Sequence, residues 1–118
     1  MEHYVLSGKV TLFRLIKELK IEEALKCQGR LNWLLDLSNA KLDISVDEIK
    51  ALGKHLRQYR RQSPCRDEIC RISVIVEDDL TFGLWRMLMV HAEDQNTEFY
   101  LSKSASTSTQ WLTDRLAS

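Results

Sequence analysis

Apolar and polar positions change rhythm repeatedly along the chain, switching from alternating or unbroken apolar runs to runs at helical spacing. Tyr4-Val5-Leu6 is a short β-prone stretch that Ser7-Gly8 is expected to end. Leu12, Leu15, Ile16 and Leu19 then recur three and four residues apart, with Thr11 placed as the N-cap of a first helix. The apolar phase slips near Lys20-Ile21, where Ala24 and Leu25 fall on a shifted face, so a bend is expected before Gln28-Gly29 closes the segment. Leu31 to Leu37 is almost unbroken in apolar residues, the pattern of a central strand covered on both faces. A loop is expected to follow and to lead into Ser45-Val46-Asp47-Glu48, whose serine and glutamate have the spacing of a capping box. Val46, Ile49, Leu52, Gly53 and Leu56 form the buried stripe of that second helix, and Gly53 on the stripe implies close approach to the sheet.

Ser63-Pro64 ends the second helix, after which Cys70, Ile72, Val74 and Val76 alternate with Arg71 and Ser73 as a third strand. Glu77-Asp78-Asp79 stops it. The helix from Leu80 to about Glu93 is apolar almost all round, with more oily surface than one buried face requires, so part of it should meet a partner, a ligand or another helix. Phe99-Tyr100-Leu101 gives a last strand, and Ser106 or Thr107 is expected to cap a final helix carrying Trp111, Leu112 and Leu116. Four strand-then-helix units in succession predict an α/β fold: a mostly parallel four-stranded sheet packed with helices, joined by right-handed crossovers.

A chain of 118 residues encloses one core, and no linker or repeat divides it, so residues 1–118 are expected to form a single domain. Seventeen basic residues balance seventeen acidic ones, which removes any overall field toward nucleic acid or an anionic membrane. No apolar run approaches the roughly 20 residues that span a bilayer, and the N-terminus lacks a leader pattern, so a cytoplasmic protein is expected. Cys27, Cys65 and Cys70 show no CxxC spacing and are read as buried or idle thiols.

The run Val74-Ile75-Val76-Glu77-Asp78-Asp79-Leu80-Thr81-Phe82-Gly83-Leu84-Trp85-Arg86-Met87 resembles the STAS-like (SpoIIAA-like) superfamily, in which many uncharacterised bacterial members have a strand, an acidic turn and a Phe-Gly-Leu-x-Arg-Met helix start. Ser7-Gly8-Lys9-Val10-Thr11, Leu35-Asp36-Leu37-Ser38-Asn39-Ala40 and Trp111-Leu112 fall where that pattern puts them, so the resemblance covers nearly the whole chain. It implies a small α/β sandwich related in fold to anti-sigma-factor antagonists and, more distantly, to a class of lipid-binding domains. It also implies binding to proteins or small ligands rather than catalysis. Phosphorylatable members carry an Asp-Ser-Ser-Gly turn where this chain reads Asp43-Ile44-Ser45-Val46, with one serine and no glycine. Many relatives carry an additional N-terminal strand, whose absence here leaves an open edge expected to support dimerisation.

Several groups are candidate sites. Ser45, at a helix N-terminus, is a possible regulatory phosphosite as well as a cap, although Asp43 and Asp47 beside it oppose a phosphate. Asp36, Asp43, Asp47, Glu77, Asp78 and Asp79 are expected where parallel strands end, as dipole partners of helix N-termini or, less simply, as a hard-cation site. Phe82, Gly83, Trp85, Arg86 and Met89 are the binding candidates, with Met87 among them: adaptable apolar surface and one cation for an anionic group. Lys50, Lys54, Arg57 and Arg61 repeat at helical spacing, with Arg60 and Arg66 beside them, and read as a solvated basic face. His3, His55 and His91 match no metal motif, and no nucleophile elbow or phosphate loop is present. The expectation is a non-enzymatic regulatory or protein-interaction module without cofactor or metal, homodimeric, using the helix from Leu80. The alternative is a carrier of a small apolar or lipid-like ligand, held between that helix and the sheet.

Overall fold

The computed structural model describes residues 2–19 and 32–117. Its elements run β1 (Glu2–Thr11), α1 (Leu12–Glu18), β2 (Asn32–Asp43), α2 (Val46–Gln62), β3 (Cys70–Ile75), α3 (Asp79–Ala92), β4 (Thr97–Ser102) and α4 (Ala105–Ala117). The four strands form one sheet in the order β1-β2-β3-β4, each parallel to the next. Parallel strands in sequential order, joined by crossovers of one hand, return their connecting helices to one face. The core divides accordingly. Leu15 and Leu19 of α1, Ile49 and Leu52 of α2, and Leu84 and Leu88 of α3 share one cluster with Leu35, Leu37, Val74 and Val76 of the strands. Leu112 of α4 packs with Leu34 and Ile75, the strand positions of opposite parity, on the other face. Both faces of β2 are thus covered, which is why its sequence reads as continuous apolar residues.

β1 does not end at Ser7-Gly8. It continues to Thr11, and the register with β2 shifts between Val5 and Ser7, where Val5 faces Asp36 and Ser7 faces Asn39. Two steps on β1 match three on β2, so the extra residue belongs to β2, beside Leu37 and Ser38. There the Asp36 carboxylate accepts from the Ser38 amide at 3.0 Å and the Ser38 hydroxyl at 2.6 Å. Gly8 takes φ 73°, a left-handed conformation that a Cβ makes costly. The segment from Ser38 to Asp43, expected as a loop, is therefore strand paired with Ser7–Thr11. It runs past the end of β3, and the Leu42 amide instead donates to the buried Thr81 hydroxyl of α3 at 3.1 Å.

The capping box of α2 forms as read: Ser45 Oγ accepts from the Glu48 amide at 3.1 Å, and Glu48 accepts from the Ser45 amide at 3.0 Å. Val46 departs from the expected stripe and is 45% exposed, because Ile44, just ahead of the cap, fills the core there. Ile44 and Ile49 hold the two positions of a hydrophobic staple. Gly53 does mark a close approach, but to α3 rather than to the sheet. A Cβ there would lie 2.7 Å from His91 Cβ and 2.8 Å from the Leu88 carbonyl oxygen. Asp78 caps α3, and Ser104 takes the capping place expected of Ser106 or Thr107: its hydroxyl accepts from the Thr107 amide at 3.3 Å.

Cys65 is disulfide-bonded rather than an idle thiol, while Cys70 is a free, buried thiol. Cys27, the bend near Lys20-Ile21, Ala24-Leu25, Gln28-Gly29 and Leu31 lie outside the described residues. Among the described residues no helix is long and apolar enough to cross a membrane.

Candidate ligand cavity

The strands of the sheet begin beneath the C-terminal halves of α2 and α3, and the fit there is incomplete. A cavity of about 70 Å³ remains. Its floor is the amino-terminal part of the sheet, with Trp33 and Leu35 from β2, Cys70 and Ile72 from β3, and Thr97 and Phe99 from β4. Leu56 and Arg60 of α2, Trp85, Leu88 and Ala92 of α3, and Leu15 and Leu19 of α1 and its cap close over it. The rings of Trp33, Trp85 and Phe99 line it beside the small side chains of Ala92, Ser63 and Cys70. The position is unexpected, since open α/β sheets more often bind ligands beyond the carboxyl ends of their strands.

The walls are apolar except for a few groups. Arg60 is only 7% exposed. One of its terminal nitrogens donates to the Cys65 carbonyl at 2.8 Å, and the other donates to the Glu68 carbonyl and, at 3.5 Å, to that of Asn96. Its Nε–H has no hydrogen-bond partner among the described residues, and none of the ion pairs there includes Arg60. Trp85 is 3% exposed, and its indole Nε1–H is likewise unpartnered. Burial pushes the Cys70 thiol up to about 11 from 9.0, with Arg60 pulling weakly the other way. At neutral pH that thiol is protonated, a poor nucleophile and no counter-charge. The arrangement suits an apolar guest, with a greasy wall and both unpartnered nitrogens closed off behind it.

Of the binding candidates on α3, only Trp85 lies in this wall. Phe82 is half-buried near the start of α3, with the Lys103 ammonium 5.6 Å from its ring centre, and Gly83 is exposed with open space around it. Arg86 and Met89 border a shallow hollow on the outer side of α3 with Val90 and Glu93, which shares Thr97 and Phe99 with the cavity. Ser45 is an exposed cap at the start of α2. The acidic residues are engaged separately: Asp36 with Ser38, Asp43 with Lys9 at 3.3 Å, Asp78 with Thr81 and Asp79 with Lys103. Among the described residues no group of three or more His, Cys, Asp or Glu could hold a metal ion. The Asp78 carboxylate is held below its ordinary range, chiefly by the Thr81 amide and then by the Thr81 hydroxyl.

Lys50, Lys54, Arg57, Arg61 and Arg66 are exposed, as a solvated basic face requires, but Arg60 is not part of it. The sequence held a signal for this. Ile49, Leu52, Leu56 and Arg60 follow one another at spacings of three, four and four, so Arg60 continues the buried stripe.

No family model matches the chain, and neither a curated relative nor a solved structure does.

Proposed function

We propose that the chain is a non-enzymatic binding module of the STAS-like kind that holds a small, mostly apolar molecule between α3 and the sheet. The observation that carries this reading is the cavity of about 70 Å³ walled by Leu15, Leu19, Trp85, Leu88 and Phe99. A void walled by hydrocarbon stays dry and takes an apolar guest in preference to water. The test is methyl NMR of the labelled protein under xenon pressure. Leu15, Leu19 and Leu88 methyls should shift together while surface methyls such as those of Leu80 stay put. Unmoved cavity methyls would end the reading. Native mass spectrometry of freshly purified cytoplasmic protein should in addition reveal a co-purified small molecule.

A second reading has its own observation. Leu80 and Val90 of α3 are 70% and 66% exposed, on either side of Arg86 and Met89. This oily outer face suits a regulatory protein contact, including a homodimer, and analytical ultracentrifugation checks it. A dimer that Val90→Lys dissociates supports the contact; a monomer at all concentrations removes the dimer. The edge of β1 is a poorer dimer surface, because Arg14 donates to the carbonyls of Ser7 and Lys9 at 2.7 and 2.9 Å and so occupies part of it.

A further inference from the structure

We propose that the partner of the α3 outer face is a second copy of this chain, joined edge to edge through β4 so that the two sheets run on as one. The two α3 helices then pack antiparallel above the seam. This rests on the α3 contact reading above and names its partner and geometry. The first ground is the strand edge. Within the sheet β4 pairs with β3 alone. The Cys70 amide donates to the Asn96 carbonyl and the Val76 amide to that of Ser102. In a parallel ladder the even-numbered residues of β4 therefore face β3, and the backbone N–H and C=O groups of Phe99 and Leu101 point outward. The other edge of the sheet is guarded, since Arg14 donates to the Ser7 and Lys9 carbonyls of β1. β4 has no such guard. It contains no proline and a single charge, Glu98, which is drawn aside by Arg71 at 3.3 Å and Arg115 at 3.6 Å.

The second ground is charge complementarity. The hollow beside this edge brings Arg86, Met89, Val90 and Glu93 of α3 together with Thr97 and Phe99 of β4. Arg86 and Glu93 are exposed, and neither takes part in an ion pair among the described residues. They lie about two turns apart, on opposite sides of Met89 and Val90. A two-fold axis beside Met89 and Val90 thus sets Arg86 of each copy against Glu93 of the other, and it covers Val90, which is 66% exposed. Phe99 borders the same hollow, so the same axis pairs Phe99 with its own counterpart and Thr97 with Leu101 of the second copy. An unrelated extended segment could also add to the strand edge. Opposite charges placed evenly about one point, however, are the mark of a surface that complements itself.

The experiment combines sedimentation equilibrium of the full chain with NMR amide exchange. The wild type should dimerise, and the Phe99 and Leu101 amides should be protected in the dimer and exchange fast on dilution to monomer. Arg86→Glu and Glu93→Arg should each weaken the dimer by about tenfold or more, because like charges then face each other across the axis twice. The double variant that carries both changes should restore the dimer to within a few-fold of wild type. Both side chains are exposed, so none of these variants threatens the core. A dimer that Val90→Lys dissociates but in which both amides exchange freely overturns the edge-to-edge geometry while the α3 contact reading stands. A double variant as weak as the single ones does the same. A wild type that stays monomeric at every concentration overturns the second-copy inference outright.

Discussion

Cys70 shows how a single side chain ties stability to pH. Its thiol sits at the start of β3, and burial raises its ionisation from 9.0 to about 11, Arg60 opposing. Because the value is raised in the folded state, the unfolded chain releases this proton first. The contribution is therefore fully present below about pH 9 and is lost as pH climbs toward 11. A displacement of that size corresponds to about 3 kcal/mol. Urea midpoints of the wild type should accordingly fall more steeply between pH 9 and 11 than those of Cys70→Ala; parallel curves would remove the assignment. Asp78 has the opposite sign. Its carboxylate is held below the ordinary range by Thr81, so that contribution is present at neutral pH and disappears as pH falls through the lowered value. Asp78→Asn should flatten the acid limb of the stability curve. Ser45 offers a simpler case: its hydroxyl accepts from the Glu48 amide, and Ser45→Ala should cost about 1 kcal/mol in chemical denaturation. Xenon binding should be unaffected, since Ser45 does not line the cavity.

Between elements, the decisive contact is α2 on α3. Gly53 lets the two helices approach until there is no space for another carbon, with His91 Cβ 2.7 Å and the Leu88 carbonyl oxygen 2.8 Å from where it would sit. Neither obstacle is the far end of a flexible side chain, so Gly53→Ala must push the helices apart. The gain in helix propensity, about 1 kcal/mol, is outweighed by overpacking of about 1–3 kcal/mol. A net loss in the urea midpoint is expected, and a more stable variant would contradict the contact. This glycine was legible in the sequence as a close approach, but not as one between helices, because a stripe position does not say which element faces it. The same boundary recurs elsewhere. The capping box at Ser45 and the parity of β3 depend on residues a few positions apart and could be read directly. The continuation of β1 past Gly8 depends on an extra residue in β2, and only the paired register reveals it. Arg60 was hidden for a related reason. As a charge beside Arg57 and Arg61 it reads as surface, while the carbonyls that hold it come from Cys65, Glu68 and Asn96. Trp85 was a sequence candidate, yet its cavity is assembled from distant positions on three strands and three helices that no spacing rule connects.

At the scale of the molecule the sheet has two unequal covers. On one face α1, α2 and α3 share a continuous cluster that reaches from Leu6 and Val10 of β1 to Ala92 of α3. On the other, α4 contributes Leu112 and the half-buried Trp111 against Leu34 and Ile75. Its remaining ties are polar or aromatic. Ser73 Oγ donates to the Ser108 carbonyl at 2.9 Å, Trp111 stacks on Tyr100 with ring centres 5.3 Å apart, and Arg115 pairs with Glu98 at 3.6 Å on the surface. Opening free energy follows buried apolar contact more than exposed ion pairs, which are worth about 0–1 kcal/mol each. The α4 layer should therefore detach before the main layer does. Native-state hydrogen exchange at low denaturant should show α4 amides exchanging through a smaller opening than those of β2 and β3. Trp111→Ala should lower the α4 opening energy while leaving the β2 amides nearly unchanged. Equal protection across α4 and β2 in both proteins would mean that the two layers open together. Because the cavity lies on the other face of the sheet, Trp111→Ala should also leave binding at Leu15, Leu19 and Leu88 intact. The cavity and the least stable layer would then be separable in one molecule.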